Sequence, residues 1–503
     1  MNEVELALDS ACRRSWPDRI REQWRLFIST PPKHKMLIVL TVFGFAVPVV
    51  AYFAFLAHYG VNVIIFDQWS DVALIGKAFS GHLAIGDLWT QHNQNRMLFP
   101  NLLVLFLAYT THLNVRVEEY LSAVLLVGSV ALIIVTHRRR SSATPLFWYC
   151  PVAILMLSWV QYENTLWGFQ VAWYVVLVCL AGTLATLDRD HLTNATLVVA
   201  VAIAIIGSCS SVQGLLIWPS SVLLLLYRRR SWRVLVVWGT AAVATTTGYF
   251  YHWQSSRLPP YQINPLLHPF FALKLFFFSL GNTAGKPLTI SLFPVSPNHP
   301  VLGTANVWIV AFGVIVFFCA VFGVVRTGCR GTRERPEPLG VSLILFAVGF
   351  DLLTVIGRGL HGYAGVSASR YTTYNMLALV GAYLIVISRP SVDRNEGLHR
   401  NSHAESGMRT VSSHRLRVMS AVVVPTISLL IVACVVVQAV GGFYNGLLGG
   451  RQDHAVETRA ATILHSYPAG NRGRLTPYDI VTGFAKQLIP IAQRDTLSLF
   501  DTR

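Results

Sequence analysis

Apolar stretches of membrane-spanning length recur along this chain and are separated by short polar and basic segments. Several windows are apolar for 18 residues or more, the length at which a helix crosses the hydrocarbon core of a bilayer. Backbone amides in lipid must be hydrogen-bonded within their own segment, so each window predicts a helix. The predicted membrane-spanning helices cover residues 36–58, 118–136, 145–160, 171–187, 194–212, 213–227, 232–250, 302–325, 339–356, 373–388 and 418–440.

One further apolar stretch, Phe99 to His112, is too short for a clear assignment. A crossing normally requires about 20 residues, so we interpret this stretch as a helix packed partway into the outer half of the bilayer. The pattern therefore predicts an all-α polytopic membrane protein with about eleven transmembrane helices, or twelve if residues 99–112 cross.

Composition and charge support a membrane protein. Hydrophobic residues make up 53% of the chain and charged residues 13%, about half the usual charged share of a soluble domain. The net charge of +16 comes largely from clusters beside apolar spans, such as Arg138–Arg140 and Arg228–Arg230. Such clusters are typical of cytoplasmic loops. The charge therefore indicates topology, and no nucleic-acid partner is expected.

The basic clusters define a topology and a domain organisation. A basic segment at 1–35 precedes the first helix, which is typical of a signal anchor with a cytoplasmic N-terminus. Residues 36–440 form the transmembrane domain, and 442–503 form an outer C-terminal tail. The predicted outer loops are 59–117, 251–300 and 357–372. This organisation predicts a multi-pass protein of the plasma or inner membrane, in contact with its lipids.

The first polar outer segment contains two aspartates. Asp67 and Asp71 follow the first helix, and a helix starting here would place them one turn apart on one face. A carboxylate just above the bilayer can act as a general base on a hydroxyl, or hold a cation. The alternative is that Asp67 caps a loop helix and Trp69 marks the membrane interface.

The second segment is rich in imidazole and amide groups. His92, Asn93, Asn95 and Arg96 lie close together in the same predicted loop. These groups offer hydrogen-bond donors and acceptors together, which suits sugar hydroxyls or phosphate. The alternative is an ordinary hydrated loop in which Arg96 anchors at lipid headgroups.

The third segment is the short turn at 161–170, which contains Glu163, Asn164 and Gln170. Its polar side chains stay near the bilayer surface because two apolar spans flank it closely. We predict that they bind substrate. A solvated hairpin tip with interfacial aromatic residues is the alternative.

The fourth segment carries two arginines on the predicted outer side. Arg358 ends one predicted helix, and Arg370 with Tyr371 precedes the next. Two guanidinium groups can clamp a phosphate or pyrophosphate through paired hydrogen bonds. The alternative is that both arginines extend to lipid headgroups.

Common catalytic motifs are absent from the sequence. It contains no GxxxxGK[ST], no GxGxxG between a strand and a helix, no HExxH and no GxSxG, which disfavours ATP-driven and zinc-hydrolase chemistry. Seven scattered cysteines with no CxxC pair indicate neither a disulfide framework nor a zinc site.

A signal-anchor helix, a long outer loop opening with Asp67 and many further helices together resemble the GT-C superfamily of membrane glycosyltransferases. The segments around Asp67, His92–Arg96, Gln161–Gln170 and Arg370 are also similar to those of a group of bacterial polytopic membrane proteins. The GT-C resemblance implies a sugar donor linked to polyprenyl phosphate or pyrophosphate, and an acidic residue that serves as catalytic base or metal ligand. Many GT-C enzymes have adjacent acidic residues, whereas Gln68 follows Asp67 here. No cofactor is therefore expected, although a divalent metal remains an alternative.

The resemblance implies transfer of a sugar, with inversion, to an extracytoplasmic acceptor such as a cell-envelope glycan, lipid or protein. Asp67 would deprotonate the acceptor, Arg358 and Arg370 would stabilise the leaving phosphate, and the amides would position hydroxyls. Two alternatives are a transporter or flippase of lipid-linked glycans and a non-catalytic envelope-assembly protein. A transporter needs a polar path through the spans, where Asp351 is the main ionisable residue; an assembly protein would tolerate loss of Asp67.

Overall fold

The computed structural model describes residues 31–254, 264–285, 304–329, 337–388, 410–465 and 485–500. The predicted cytoplasmic segment 1–35 lies almost wholly outside the described residues. Parts of the predicted segments 251–300 and 442–503 lie outside them as well.

Helices dominate the described chain, as the hydrophobic pattern predicts. They are α1 (Pro32–Tyr59), α2 (Trp69–Phe79), α3 (Ile85–Leu88), α4 (Leu98–Thr111), α5 (Val115–Arg140), α6 (Cys150–Met156), α7 (Tyr162–Leu166), α8 (Val171–Leu187), α9 (Asn194–Ser208), α10 (Ile217–Tyr227), α11 (Trp232–Phe250), α12 (Pro269–Gly281), α13 (Thr304–Cys329), α14 (Pro338–Arg358), α15 (Gly362–Val366), α16 (Thr372–Ile387), α17 (Thr410–His465) and α18 (Ala485–Arg494). Two short strands, β1 (Gln91–His92) and β2 (Asn95–Arg96), form an antiparallel hairpin.

Within the described residues, six helical segments are long and apolar enough to cross a membrane. These segments are Pro32–Tyr59, Val115–Arg140, Gly168–Leu187, Val307–Thr327, Pro338–Val366 and Val423–His465. Shorter apolar helices, among them α4 and α9, pack between them. The chain is therefore an all-α, multi-pass membrane protein.

The centre of the bundle is the pair α14 and α16. Gly340 of α14 and Gly381 of α16 face each other so closely that neither position has room for a Cβ. Small residues at such crossings let helix backbones approach within van der Waals contact in lipid. Nearby, the Trp173 ring of α8 stacks on Tyr374 of α16 with centroids 4.9 Å apart. These contacts bring α8, α14 and α16 into one core.

The turns of the bundle gather at two opposite ends. At the arginine-rich end, which carries Arg138–Arg140 and Arg228–Arg230, Arg140 and Arg228 both pair with Asp188. At this end Thr144 Oγ1 also donates to the carbonyl of Ile387, at 2.9 Å. Turns that the sequence assigns to one side of the membrane therefore contact one another.

The opposite end, here called the loop end, joins the first loop to the C-terminal residues. The backbone N–H of Ser498 donates to the carbonyl of His112 at 2.7 Å, and Ser498 Oγ donates to Asn62 Oδ1 at 2.9 Å. Helix α18 packs on α2, where Ile491 lies against Gly76. The C-terminal residues are thus part of the loop end rather than a separate appendage.

Helix α12 lies within residues 251–300, which the sequence predicts as an outer loop. Its preceding turn packs Pro265 against Gly359, and after its end Asn282 Nδ2 donates to the Ser367 carbonyl at 3.0 Å. Both ends of α12 therefore contact the turn between α14 and α16, and α12 does not cross the bundle. The sequence prediction missed it because a 13-residue helix that contains Lys274 is too short for a membrane-spanning window.

Two other predicted helices differ in length from the observed ones. The span predicted at 145–160 contains only the seven-residue α6, flanked by 3₁₀ turns. Helix α17 continues beyond the predicted end at 440, and its residues Gly446, Gly449 and Gly450 pack closely against aromatic side chains of other elements. The length and apolarity of a sequence segment do not predict such packing between helices.

Cysteine accessibility tests the two-ended arrangement. Ser142 and Ser231 are exposed at the arginine-rich end, and Ser80 and Ala364 at the loop end. We expect cysteines at 142 and 231 to react with an impermeant maleimide from one side of the membrane, and cysteines at 80 and 364 from the other. The background is Cys12→Ser and Cys329→Ser, since the other five cysteines are buried. Reaction of all four from the same side would contradict the arrangement.

Candidate functional site

Asp67 lies in a 3₁₀ turn, Phe66–Gln68, that leads directly into α2. Phe66 has a left-handed φ of 48°, a conformation that costs a residue with a side chain about 1–3 kcal/mol. Its ring meets Trp167 edge-on at 5.6 Å, and Gln68 Nε2 donates to Glu118 Oε2 at 2.7 Å. Contacts of the residues on both sides of Asp67 thus hold the strained turn and fix the orientation of the Asp67 carboxylate.

The His92–Arg96 segment is the β1–β2 hairpin. Its two-residue turn places Asn93 at a φ of 51°, which asparagine tolerates better than most residues. Arg96 donates to the carbonyls of Trp89, Tyr249 and Tyr251, at 2.7, 3.2 and 2.8 Å. Arg96 therefore anchors the hairpin to the end of α11.

Glu163 and Asn164 link their turn to the turn that carries Arg370. Glu163 Oε2 accepts from Arg370 Nη1 at 3.0 Å, and the Glu163 backbone N–H donates to Ser369 Oγ at 3.0 Å. The buried Asn164 Nδ2 donates to the Arg370 carbonyl at 2.8 Å and to Thr373 Oγ1 at 2.7 Å. These two residues position Arg370.

A cavity of about 150 Å³, here called the first cavity, opens at the loop end. Its polar lining comes from all four segments that the sequence singled out. The predicted residues that line it are Asp67, His92, Asn93, Asn95, Gln170, Arg358, Arg370 and Tyr371. Four other predicted residues, Asp71, Arg96, Glu163 and Asn164, do not line it.

The sequence prediction missed part of the lining. Gln213 and Thr354 contribute polar groups, and Trp167, Phe169 and Trp173 contribute aromatic faces. The segment 208–213, which contains three serines and Gln213, separates two apolar stretches, and this was the sequence signal that could have indicated Gln213. No comparable signal marks Thr354, because it lies inside the apolar helix α14.

The electrostatics of the first cavity favour an ionised Asp67. His92 Nε2 lies 3.5 Å from Asp67 Oδ2, and Asn93 Nδ2 donates to the same oxygen at 3.4 Å. His92 is the main cause that holds the pKa of Asp67 below its usual value; burial opposes it, and Arg370 and Arg358 add to it. Asp67 is therefore a carboxylate at neutral pH.

Asp71 has the opposite environment one helical turn away. Its side chain is buried, and burial raises its pKa well above the usual value, with the charge of Asp67 adding to the effect. Burial therefore disfavours the charged form of Asp71. Of the two aspartates predicted as catalytic, Asp67 is the one that combines a lowered pKa with a place in the lining of the first cavity.

Metal binding has no support from the described part of the chain. No group of three or more histidine, cysteine, aspartate or glutamate residues is placed there to hold a metal ion. The positive groups of the first cavity are instead Arg358 and Arg370, and the Arg370 guanidinium lies over the Tyr371 ring at 5.3 Å. Such a pair of cations suits an anionic group of a ligand.

Comparisons with known protein families, with curated proteins and with solved structures find no match to this chain. What the chain does must therefore be argued from the first cavity itself. Its lining has one carboxylate, one imidazole, two guanidinium groups, several amides and the aromatic side chains of Trp167, Phe169, Trp173, Phe350 and Tyr371.

Replacing Asn164 with alanine tests the link between the two turns. The change leaves the Arg370 carbonyl and Thr373 Oγ1 without their donor, which costs about 1–3 kcal/mol for buried groups. We expect a lower midpoint of thermal unfolding in detergent. Asn194→Ala is the control, because Asn194 is exposed at the start of α9. Equal midpoints for both variants would show that the link does not stabilise the fold.

Proposed function

We propose that this protein is a membrane glycosyltransferase that moves a sugar from a polyprenyl-phosphate-linked donor to an acceptor outside the membrane. One observation carries the proposal: an ionised carboxylate, Asp67, lines the same cavity as Arg358 and Arg370. A base and a pair of phosphate-binding cations are the two charged elements that this transfer needs.

In the proposed reaction an acceptor hydroxyl attacks the anomeric carbon of the donor. The new bond joins the acceptor oxygen to that carbon, while the bond from the carbon to the phosphate oxygen breaks with its electron pair. Asp67 accepts the hydroxyl proton, and the lipid phosphate leaves. Charge that develops on the phosphate is stabilised by Arg358 and Arg370, an interaction worth several kcal/mol in comparable sites.

The environment of the arginines favours a lipid-linked phosphate. Arg358 is the last residue of α14, a helix long and apolar enough to cross a membrane, and its place at this end of the helix supports a contact with a phosphate headgroup. Glu163 on one side of Arg370 orients its planar group. A phosphate on an isoprenoid chain can reach these groups while its tail stays in lipid.

The aromatic and amide lining favours a sugar. Trp167, Phe169 and Trp173 supply apolar ring faces, and Gln170 and Gln213 supply amide donors and acceptors. A pyranose ring has apolar C–H faces and polar hydroxyl edges, so it needs both kinds of contact.

We propose that the arginine-rich end faces the cytoplasm and the loop end faces outwards. Basic residues at the first end, including Lys33 and Lys35 at the start of α1, support this orientation. Nucleotide sugars are absent outside the cytoplasm, so a lipid-linked donor suits a cavity at the loop end. In intact cells, cysteines at 80 and 364 would then be the pair that labels.

Asp351 gives no support to the alternative of a transporter. It is the main ionisable residue predicted within the spans, and it is fully buried. Its Oδ1 accepts from Ser279 Oγ at 2.5 Å, in the packing between α12 and α14. A carboxyl held in helix packing differs from one that lines a water-filled path.

Substituting Asp67 tests the base. We expect Asp67→Asn to lower transfer by a factor of about 10² or more, because the amide cannot accept the proton. Asp71→Asn should lower transfer less than Asp67→Asn, since Asp71 lies outside the first cavity and an asparagine amide still offers a hydrogen-bond donor. The measurement is turnover of a sugar-polyprenyl-phosphate panel by purified protein. The reverse order of the two variants would assign the base to Asp71.

Substituting the arginines tests the phosphate contact. Lysine keeps the charge but loses the planar pair of donors, and one charge-assisted hydrogen bond is worth about 1.5–3 kcal/mol. We expect Arg370→Lys to weaken donor use roughly 10-fold or more, and Arg358→Lys to weaken it less. Arg233→Lys at the arginine-rich end is the control. Parental activity of both cavity variants would mean that the arginines only contact headgroups.

A further inference from the structure

A second cavity of about 270 Å³ adjoins the first one. His92 and Phe169 line both cavities, and their rings meet with centroids 5.3 Å apart. These two rings form a partition between the cavities. Asp67 lines the first cavity, whereas Asp71, one turn further along the chain, lines the second cavity. Two spaces of different lining therefore meet at the Asp67–His92 pair.

The lining of the second cavity combines an apolar surface with several uncharged polar groups. Among the described residues that line it, Lys77 is the one lysine or arginine, and it pairs with Asp87 at 2.7 Å. Hydroxyl and amide groups come from Ser70, Thr90 and Asn101. This lining lacks the cations that hold phosphate in other sites and offers the mixed donors and acceptors that suit hydroxyls.

Asp71 is the acidic group of this lining with an unpaired buried oxygen. Its side chain is 3% exposed, and among the described residues no hydrogen-bond partner reaches Asp71 Oδ2. A buried polar atom without a partner costs about 1–3 kcal/mol, and a ligand in the cavity that Asp71 lines would supply the missing partner. With its pKa raised by burial, this carboxyl can donate to a ligand oxygen.

We propose that the second cavity is the subsite for the acceptor, and that the acceptor is a neutral, polyhydroxylated sugar unit of a glycan. This inference rests on the proposed transferase function. A hydroxyl of a sugar in the second cavity, presented at the His92–Phe169 partition, reaches the carboxylate of Asp67, while the donor phosphate lies across the first cavity against the arginines. Asp71 then binds the acceptor and takes no part in proton transfer.

The assignment divides the two aspartates by role. Asp67 faces the reacting atoms, and Asp71 holds a hydroxyl away from them. Phe169 supplies an apolar ring on the partition, against which a sugar face can lie. The size of the second cavity, near the lower limit of the roughly 300–1,000 Å³ of ligand pockets, suits one or two sugar rings.

The test measures binding of two probes to purified protein, so that it does not depend on turnover. The first probe is a panel of neutral disaccharides: maltose, cellobiose, lactose and mannobiose. The second is farnesyl phosphate, a short isoprenoid phosphate. Ala73 lines the second cavity, and Ala73→Phe fills it; Thr90→Trp fills it from the exposed side and guards against misfolding of the first variant. Ala84→Phe is the matched control, because Ala84 is exposed and lines neither cavity.

We expect at least one disaccharide to bind the parent protein and Ala84→Phe equally, and at least tenfold more weakly to Ala73→Phe and Thr90→Trp. Farnesyl phosphate should bind all four alike and should be weakened by Arg370→Lys. The subsite is overturned if no disaccharide binds the parent, or if both cavity-filling variants bind it as the parent does. Farnesyl phosphate binding that ignores Arg370→Lys would instead contradict the proposed donor site, so the two failures are distinguishable.

Discussion

The hydrogen bonds from Glu163 and Asn164 to the turn at Ser369–Arg370 join two pairs of helices at the loop end. One turn connects α6 to α8, and the other connects α14 to α16. Asn164 is buried, where an amide bond is electrostatically strong and a missing partner is costly. Glu163 adds a charge that holds the Arg370 guanidinium in one plane. The geometry of the first cavity depends on this link, because an unrestrained arginine would extend to the headgroups.

Two aspartates one turn apart have pKa values shifted in opposite directions, and the cause is their surroundings. Asp67 lies in a strained turn next to the His92 imidazole and lines the first cavity, so its pKa falls. Asp71 lines the second cavity but is buried and lies near the charge of Asp67, so its pKa rises. Environments that separate the pKa values of neighbouring carboxyls commonly assign them different roles. The chain places the two groups at adjoining cavities, and the deeper burial of Asp71 disfavours its charged form.

The first loop depends on residues from the far end of the chain. A cluster of buried apolar side chains joins Val63, Ile64 and Trp69 of the first loop to Leu464 of α17 and Ile489 of α18. The long α17 reaches this cluster because its glycines let it pass closely beside neighbouring aromatic rings. A loop of this length would otherwise expose its apolar residues to water. The C-terminal residues therefore help to hold Asp67 and the β1–β2 hairpin in place.

The sequence by itself determined the all-α membrane class and most helix positions, because apolarity and length act locally on each segment. It also indicated the four polar segments that meet at the first cavity, since polar groups beside lipid are costly and few. Only the tertiary structure decided that Glu163, Asn164 and Arg96 lie outside the first cavity and hold the turns that line it. It also decided that α12 begins and ends at the loop end. It also decided that Asp71 is buried and Asp67 is not. Those outcomes depend on contacts between residues far apart in the chain, such as Asn164 with Thr373 and Ser498 with His112, which no local pattern of hydrophobicity or charge encodes.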